Sequence, residues 1–214
     1  MKIHSPNGFC GTAPFLLESI LACDENGTGK QDHRQKAQAR RHRLKSASPN
    51  AAKEAARNFL NVFKPAAKDI VGAYWPYKSE INTRPLLIQL HNQAIVCALP
   101  VVLQDDQRLT FHAWKPGDTL SPGAYGISEP SRESLALAPS ILVVPLLAFD
   151  DRGYRLGYGA GYYDKTLRQL RSAGRVTAVG FAFSGQRVDE IPRQPHDERL
   201  DWIVTDERVL KAQS

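Results

Sequence analysis

Residues 69–99 read DIVGAYWPYKSEINTRPLLIQLHNQAIVCAL, and this stretch decides the fold class. A short apolar run from Asp69 to Trp75 is followed by Thr83 to Asn92, in which Pro85 suits a first helical turn, where a missing N–H leaves no bond unmade. Ile95 to Leu99 is then a second apolar run, ending at Pro100. Strand, helix and strand in that order predict two parallel strands joined by a right-handed crossover, because parallel neighbours need a long connection.

The same alternation continues on both sides. Ile141 to Val144, ILVV, is the continuous β-branched and leucine run of a strand buried on both faces, as parallel strands usually are. Val176 to Phe181 and Trp202 to Thr205 read as further buried strands, and Leu109 to Trp114 alternates as another strand does. Helices are expected over Asp32 to Lys45, over Asn50 to Phe63 with Phe59, Val62 and Phe63 as an apolar edge, and over Lys165 to Ser172, ended by Gly174. Lys115 to Pro130 is a glycine- and proline-rich loop and a candidate site wall. The pattern predicts a single α/β domain of three layers, with a mixed, mainly parallel sheet flanked by helices. It spans residues 31–214, a length suited to one core, while residues 1–30 carry Pro6, Gly8, Gly11, Pro14, Gly27 and Gly29 without a sustained period and read as a flexible extension.

Composition narrows the function classes. With 42% hydrophobic and 23% charged residues the chain is that of an ordinary globular protein, neither fibrous nor collagenous. Cys10, Cys23 and Cys97 have no CxxC spacing, and an odd count without a secretory signal argues for reduced thiols and a cytoplasmic location. The most apolar N-terminal run, Phe15 to Cys23, contains Glu18 and is far short of the roughly 20 residues that span a bilayer, so no membrane partner is expected. The net charge of +6 suits nucleic acid, an anionic small molecule or plain solubility. Basic residues are densest from Lys30 to Lys45, against one acid, Asp32.

The chemistry concentrates in residues 155–164, RLGYGAGYYD. Gly157, Gly159 and Gly161 remove side chains that would keep backbone amides from a phosphate, and a helix starting near Tyr162 adds unpaired N–H donors. Arg155 and Lys165 offer full charges. The spacing is neither GxGxxG nor GxxxxGKS, so on the glycines alone a flexible strand-to-helix turn is an equal reading. Tyr162 and Tyr163 suit a ring-bearing ligand, and Asp164 suits a divalent cation bridging phosphates, or else a first-turn acid complementing the helix dipole.

GYGAGYYDKTL from Gly157, preceded by VVPLLAFDDRGYRL from Val143, resembles the signature of the 5-formyltetrahydrofolate cyclo-ligase family. EINTRPLL from Glu80, ALPVV from Ala98, LTFHAW from Leu109, YGISEP from Tyr125 and HDERLDWIVT from His196 follow the family in order, so the resemblance covers roughly Gln35 to Thr205. It implies ATP and a reduced folate as ligands, Mg2+ as the metal, and an ATP-driven closure of 5-formyltetrahydrofolate to its 5,10-methenyl form through a phosphorylated formyl oxygen. It assigns ATP to Lys36, Arg40 and the loop residues Arg155, Leu156, Gly157, Tyr158, Gly159, Ala160, Gly161, Tyr162 and Tyr163. Lys36 and Arg40 share one face of their helix by i, i+4 spacing, with Arg43 continuing it; a solvated basic face is the other reading of such a run. It assigns folate to Trp75, Glu80, Tyr158 and Tyr162, and the metal to Asp164 and Asp197; as a lone acid before a helix Glu80 reads equally as a terminal charge, and Asp201, further along the segment of Asp197, reads as structural. No covalent catalytic nucleophile is identified. The chain departs from many relatives in carrying Tyr158 and Ala160 where a basic residue stands in the glycine loop, and in its long N-terminal extension. His112 and His196 lack ligand spacing and read as ordinary polar residues. A monomer is expected. Two rival readings are a nucleic-acid-binding protein using Lys30 to Lys45, disfavoured by the absence of interleaved aromatic residues, and an ATP-dependent ligase acting on another small molecule.

Overall fold

Hydrophobic runs too short to be helices become strands, and those without polar alternation go to the middle of the sheet. The computed structural model describes residues 28–103 and 108–213. Cys10 and Cys23, and the expected extension up to residue 27, lie outside the described residues. In chain order the elements are α1 (Thr28–Ala47), α2 (Ala51–Phe63), β1 (Ile70–Gly72), α3 (Arg84–Asn92), β2 (Val96–Leu103), β3 (Arg108–Trp114), β4 (Ser121–Pro122), β5 (Ser128–Glu129), β6 (Ala136–Leu137), β7 (Ile141–Val144), β8 (Ala148–Phe149), β9 (Arg155–Leu156), α4 (Tyr162–Ala173), β10 (Thr177–Ala182), β11 (Trp202–Thr205) and β12 (Val209–Lys211). Eight strands form one sheet in the order β12-β11-β10-β7-β1-β2-β3-β6. From β11 to β2 every pairing is parallel, and antiparallel pairing is confined to β12 at one edge and to β3 and β6 at the other.

Successive side chains of a strand face opposite ways, and the core shows it. Val143 packs with Val71, Cys97, Val179 and Val204 against the buried faces of α2 and α3. Its neighbours Leu142 and Val144 pack with Ala98, Ala178 and Ile203 against Leu167 of α4. Helices thus cover both faces, giving the expected three layers. On α2, Ala51, Ala55, Ala56 and Phe59 form the buried stripe, and complete burial of Phe59 alone contributes about 1.5–3 kcal/mol.

Two strand ends differ most from the sequence expectation: β1 stops at Gly72 and not at Trp75, and β2 does not end at Pro100 but continues to Leu103. β1 pairs with β2 only from Val96 to Ala98, so at Pro100 that edge has no neighbour, and a residue without an N–H breaks no ladder there. β12 and the two-residue strands were not anticipated. None of the described helices is long and apolar enough to cross a membrane.

Candidate active site

The parallel strands β1 and β7 deliver the site segments from their carboxyl ends, the usual place for ligands in an open α/β sheet. After β7, Pro145 ends the sheet pairing and the chain enters the β8–β9 hairpin. Its turn is fixed by Asp150, fully buried, whose carboxylate accepts from the amides of Arg152, Tyr154 and Ile191. β9 then feeds the glycine loop. Gly159 (φ +103°) and Gly161 (φ +72°) both lie in the left-handed region that a Cβ disfavours, and Gly161 caps α4. The first amides of α4 are thereby turned outward with no partner on the helix itself, an arrangement that accepts an anion.

Two arginines of α1 meet this loop. Arg34 donates from Nε to the Gly157 carbonyl at 3.2 Å, and its guanidinium lies so close over Gly159 that a Cβ there would stand 2.9 Å from Cζ. Arg41, 1% exposed, donates to Ser79 Oγ at 3.1 Å, to the Leu146 carbonyl at 3.2 Å and to the Tyr158 hydroxyl, and lies 3.8 Å from Glu80 Oε1. The expected pair Lys36 and Arg40 lies elsewhere. Both are exposed, and Lys36 is paired with Asp32 at 2.7 Å. Two residues along a helix is a turn of about 200°, so Lys36 points away from the flank that carries Arg34. Arg43 is exposed as well.

Glu80 is buried where the β1–α3 connection folds back on itself. Its Oε2 accepts from the Tyr77 amide at 2.9 Å, while the Tyr74 hydroxyl donates to the Ile81 carbonyl and the Thr83 hydroxyl to the Tyr74 carbonyl. Burial pushes the Glu80 carboxyl above the ordinary carboxylate range, against the Tyr77 amide, Arg41 and a hydrogen bond from Tyr158. Burial and the Glu80 charge likewise raise the phenols of Tyr158 and Tyr163. Tyr158 therefore joins the glycine loop to the buried acid. Trp75 stands edge-to-face with Trp114, ring centroids 5.7 Å apart, under the guanidinium of Arg84. These three, with Ile88, Leu120 and Ser128, line a cavity of about 350 Å³, and the expected wall loop supplies part of it. Trp114 Nε1 is buried with no hydrogen-bond partner among the described residues. Tyr162 meets Tyr125 of the same wall loop, hydroxyl to hydroxyl, at 3.0 Å.

The two acids assigned to a metal come from adjoining segments. Asp164 Oδ1 pairs with Arg155 Nη2 at 2.7 Å and accepts from the Glu198 amide at 3.0 Å, which ties the start of α4 to the residue after Asp197. Asp197 Oδ2 accepts from the Gln194 amide, and His196 stands 3.9 Å from Oδ1. Asp164 Oδ2 has no hydrogen bond among the described residues. Three clustered ligands are not found among the described residues; two carboxylates are the number magnesium ordinarily takes from a protein when phosphate and water complete its shell. Arg155 is a strut: its other terminal nitrogen donates to the Glu198 carbonyl at 2.5 Å. Asp201 accepts from the Ala178 amide and Arg171, a structural link, and His112 bonds to the Ser134 carbonyl and Thr110.

Sequence reasoning missed Arg34 and Arg41. The signal was present in Ala37 and Leu44, among the few apolar residues of α1, which pack into the domain and mark the inward flank at i+3 from each arginine.

The family model for the 5-formyltetrahydrofolate cyclo-ligase family matches residues 26–206. The chain is 33% identical over 168 residues to the 5-formyltetrahydrofolate cyclo-ligase of Mycolicibacterium smegmatis, covering 74% of this chain and 84% of the relative. It is 31% identical over 144 residues to that of Escherichia coli K12, covering 65% and 79%. Its fold resembles the NMR structure of Aquifex aeolicus 5,10-methenyltetrahydrofolate synthetase, with a TM-score of 0.67 and 27% identity over 86% of this chain and 93% of that one. The corresponding Mycoplasma pneumoniae structure gives 0.65 at 23% identity, covering 83% and 98%, a likeness of fold.

Proposed function

The chain belongs to the 5-formyltetrahydrofolate cyclo-ligase family, and from that premise we propose that it uses ATP and magnesium to convert 5-formyltetrahydrofolate to 5,10-methenyltetrahydrofolate, releasing ADP and phosphate. The observation that supports this reading is one loop whose glycines open the α4 amides to an anion while Tyr158, from between them, reaches the buried Glu80.

The formyl oxygen is a poor leaving group until the γ-phosphoryl group of ATP is transferred to it. The nitrogen at position 10 then attacks the formyl carbon, its bond to that carbon forms as the carbon–oxygen bond breaks, and phosphate departs with the oxygen while the nitrogen loses its proton. Such chemistry asks a protein chiefly to position and to neutralise charge. Gly157 to Gly161 and the first amides of α4 hold the phosphates, with Leu156 fixing the loop's entry and Ala160 leaving room. Glu80 accepts hydrogen bonds from the folate ring system, Trp75 supplies the apolar wall, and Tyr158, Tyr162 and Tyr163 frame the reacting end. Asp164 and Asp197 are the carboxylates to hold magnesium, which when bound neutralises phosphate charge. Lys36 and Arg40, on the solvent side of α1, add to the positive field that draws ATP in.

A monomer in the cytoplasm is part of this reading, and Cys97 is a free, buried thiol. The nucleic-acid reading loses ground because Arg34 and Arg41 are turned into the domain. Purified protein given magnesium, ATP and 5-formyltetrahydrofolate is expected to generate methenyl absorbance stoichiometric with ADP. ADP release with a different small molecule and none with this folate would favour the other-ligase reading instead.

A further inference from the structure

Gly153, in the turn between β8 and β9, draws an arginine cluster together. Its φ of +84° and its missing Cβ let the turn close on the segment before β11. An added Cβ would stand 2.4 Å from the Leu200 carbonyl oxygen, and the Leu200 amide donates to the Gly153 carbonyl at 2.8 Å. Arg199 is thereby laid against the turn, where its Nε donates to the Arg152 carbonyl at 2.8 Å and its Nη2 to the Gln213 carbonyl. Three guanidiniums gather over the ring of Tyr154, with Cζ 5.9 Å from its centroid for Arg152, 5.4 Å for Arg193 and 5.6 Å for Arg199.

An aromatic ring attracts cations without neutralising them. Arg152 is paired with Glu190 at 2.7 Å and with the buried Asp150 at 3.3 Å. Arg193 and Arg199 have no ion-pair partner among the described residues, and Arg193 donates only to the Tyr154 hydroxyl, at 3.4 Å. A ring has two faces, so at least two of the three guanidiniums share one, and any such pair includes Arg193 or Arg199. Nε and Nη1 of Arg152, Nε and Nη2 of Arg193 and Nη1 of Arg199 make no hydrogen bond among the described residues. One guanidinium fork satisfies a carboxylate, whereas three forks set about one ring suit an anion with more oxygens, a phosphoryl group. We propose that Arg152, Arg193 and Arg199 around Tyr154 form a second oxyanion site, which takes a phosphate group either free or carried on a nucleotide. This site is not the glycine loop. Tyr154 and Leu156 pack into one cluster with Val188 and Ile191, while Arg155 between them reaches Asp164 and Glu198. Arg152 and Arg199 are held by their own bonds before a ligand arrives, so little rotamer freedom is lost on binding.

The test is a titration of the full chain with pyrophosphate at low ionic strength, where such pairs are least screened, read by the Nε–H resonances of arginine in 15N spectra. The Arg193 and Arg199 resonances are expected to move together with one affinity. Arg193→Gln, which forfeits only a bond to a hydroxyl and so leaves the fold in place, should weaken that affinity roughly tenfold or more. Lys53→Gln, an equal loss of charge on α2, should leave it unchanged. The Michaelis constant for magnesium-ATP should be the same in Arg193→Gln as in the unaltered protein. Inorganic phosphate binding as tightly as ADP supports the site with free phosphate as its occupant, and tighter ADP supports it with a nucleotide. Equal weakening by Lys53→Gln would reduce the effect to general charge and overturn the proposal, as would resonances that do not move. A Michaelis constant for ATP that rises with the loss of pyrophosphate would place Arg193 in the nucleotide site already described and overturn it too. Absence of turnover with 5-formyltetrahydrofolate would leave this site standing, since it uses no residue of the glycine loop.

Discussion

Glu80 carries a raised pKa because burial outweighs the Tyr77 amide, Arg41 and Tyr158, which all favour its charge. Between the ordinary carboxyl value and the raised one, the folded protein keeps a proton that the unfolded chain has released. The stability from this group is thus fully present below the ordinary value and falls as pH rises through the folded value. Glu80→Gln has no such titration, so its urea-unfolding free energy should gain on that of the unaltered protein as pH climbs through that window; a constant difference across pH would contradict the burial argument. Turnover should be lost in the same variant, since a neutral amide replaces the acceptor proposed for folate. At the metal site, Asp164→Asn keeps the shape of the side chain and a hydrogen bond for the Glu198 amide, so the far-ultraviolet spectrum should be unchanged while turnover disappears. Near-normal activity would take Asp164 out of that role. These acids were legible in the sequence because each sits in a motif whose neighbours are distinctive. Arg41 was not, since one arginine in a basic run is marked as buried only by the partners it finds at positions 79, 80, 146 and 158, far along the chain.

The loop between β9 and α4 shows which glycines carry conformation and which carry space. Gly159 has φ +103°, and a side chain there would also displace the Arg34 guanidinium. Gly159→Ala is therefore expected to cost roughly 1–3 kcal/mol in unfolding free energy and to weaken ATP binding at least tenfold. Gly157 has no positive φ and nothing within 4 Å of an added Cβ, so Gly157→Ala should change unfolding free energy by less than about 0.5 kcal/mol. Equal destabilisation by the two would mean that flexibility, not backbone conformation, is what the glycines provide. Among the elements, β7 and β11 were readable to the residue because an unbroken apolar run between turn residues admits little else. β4, β5, β6, β8 and β9 span two residues each, too short for any periodicity, and their pairing is set by the loops that fold over the sheet. The end of β2 was misread because proline is excluded only where a neighbouring strand needs its N–H, and the extent of β1 beside it is a tertiary fact.

The molecule places α1 where sequence pattern alone could not. A helix polar nearly all round does not declare what it packs against, and α1 is held over the glycine loop by Arg34, Arg41 and the small apolar pair Ala37 and Leu44. The parallel sheet was legible because its strands are defined by their own composition, whereas the site is assembled from segments more than a hundred residues apart. This assembly links ligand to global stability: ATP bound by α1 and by the loop before α4 must favour the state in which both are docked. A ligand that binds only the folded chain stabilises it by about 2.7 kcal/mol at a hundredfold excess over its Kd. For a domain of this length each kcal/mol raises Tm by roughly 2–4 °C, so magnesium-ATP at that excess should raise Tm by about 5–10 °C. With a chelator and the same ATP concentration the rise should shrink markedly, because Asp164 and Asp197 then face the phosphates without a cation between them. Equal shifts with and without chelator would remove those acids from a metal role, and no shift at saturating ATP would remove α1 and the loop from the nucleotide site.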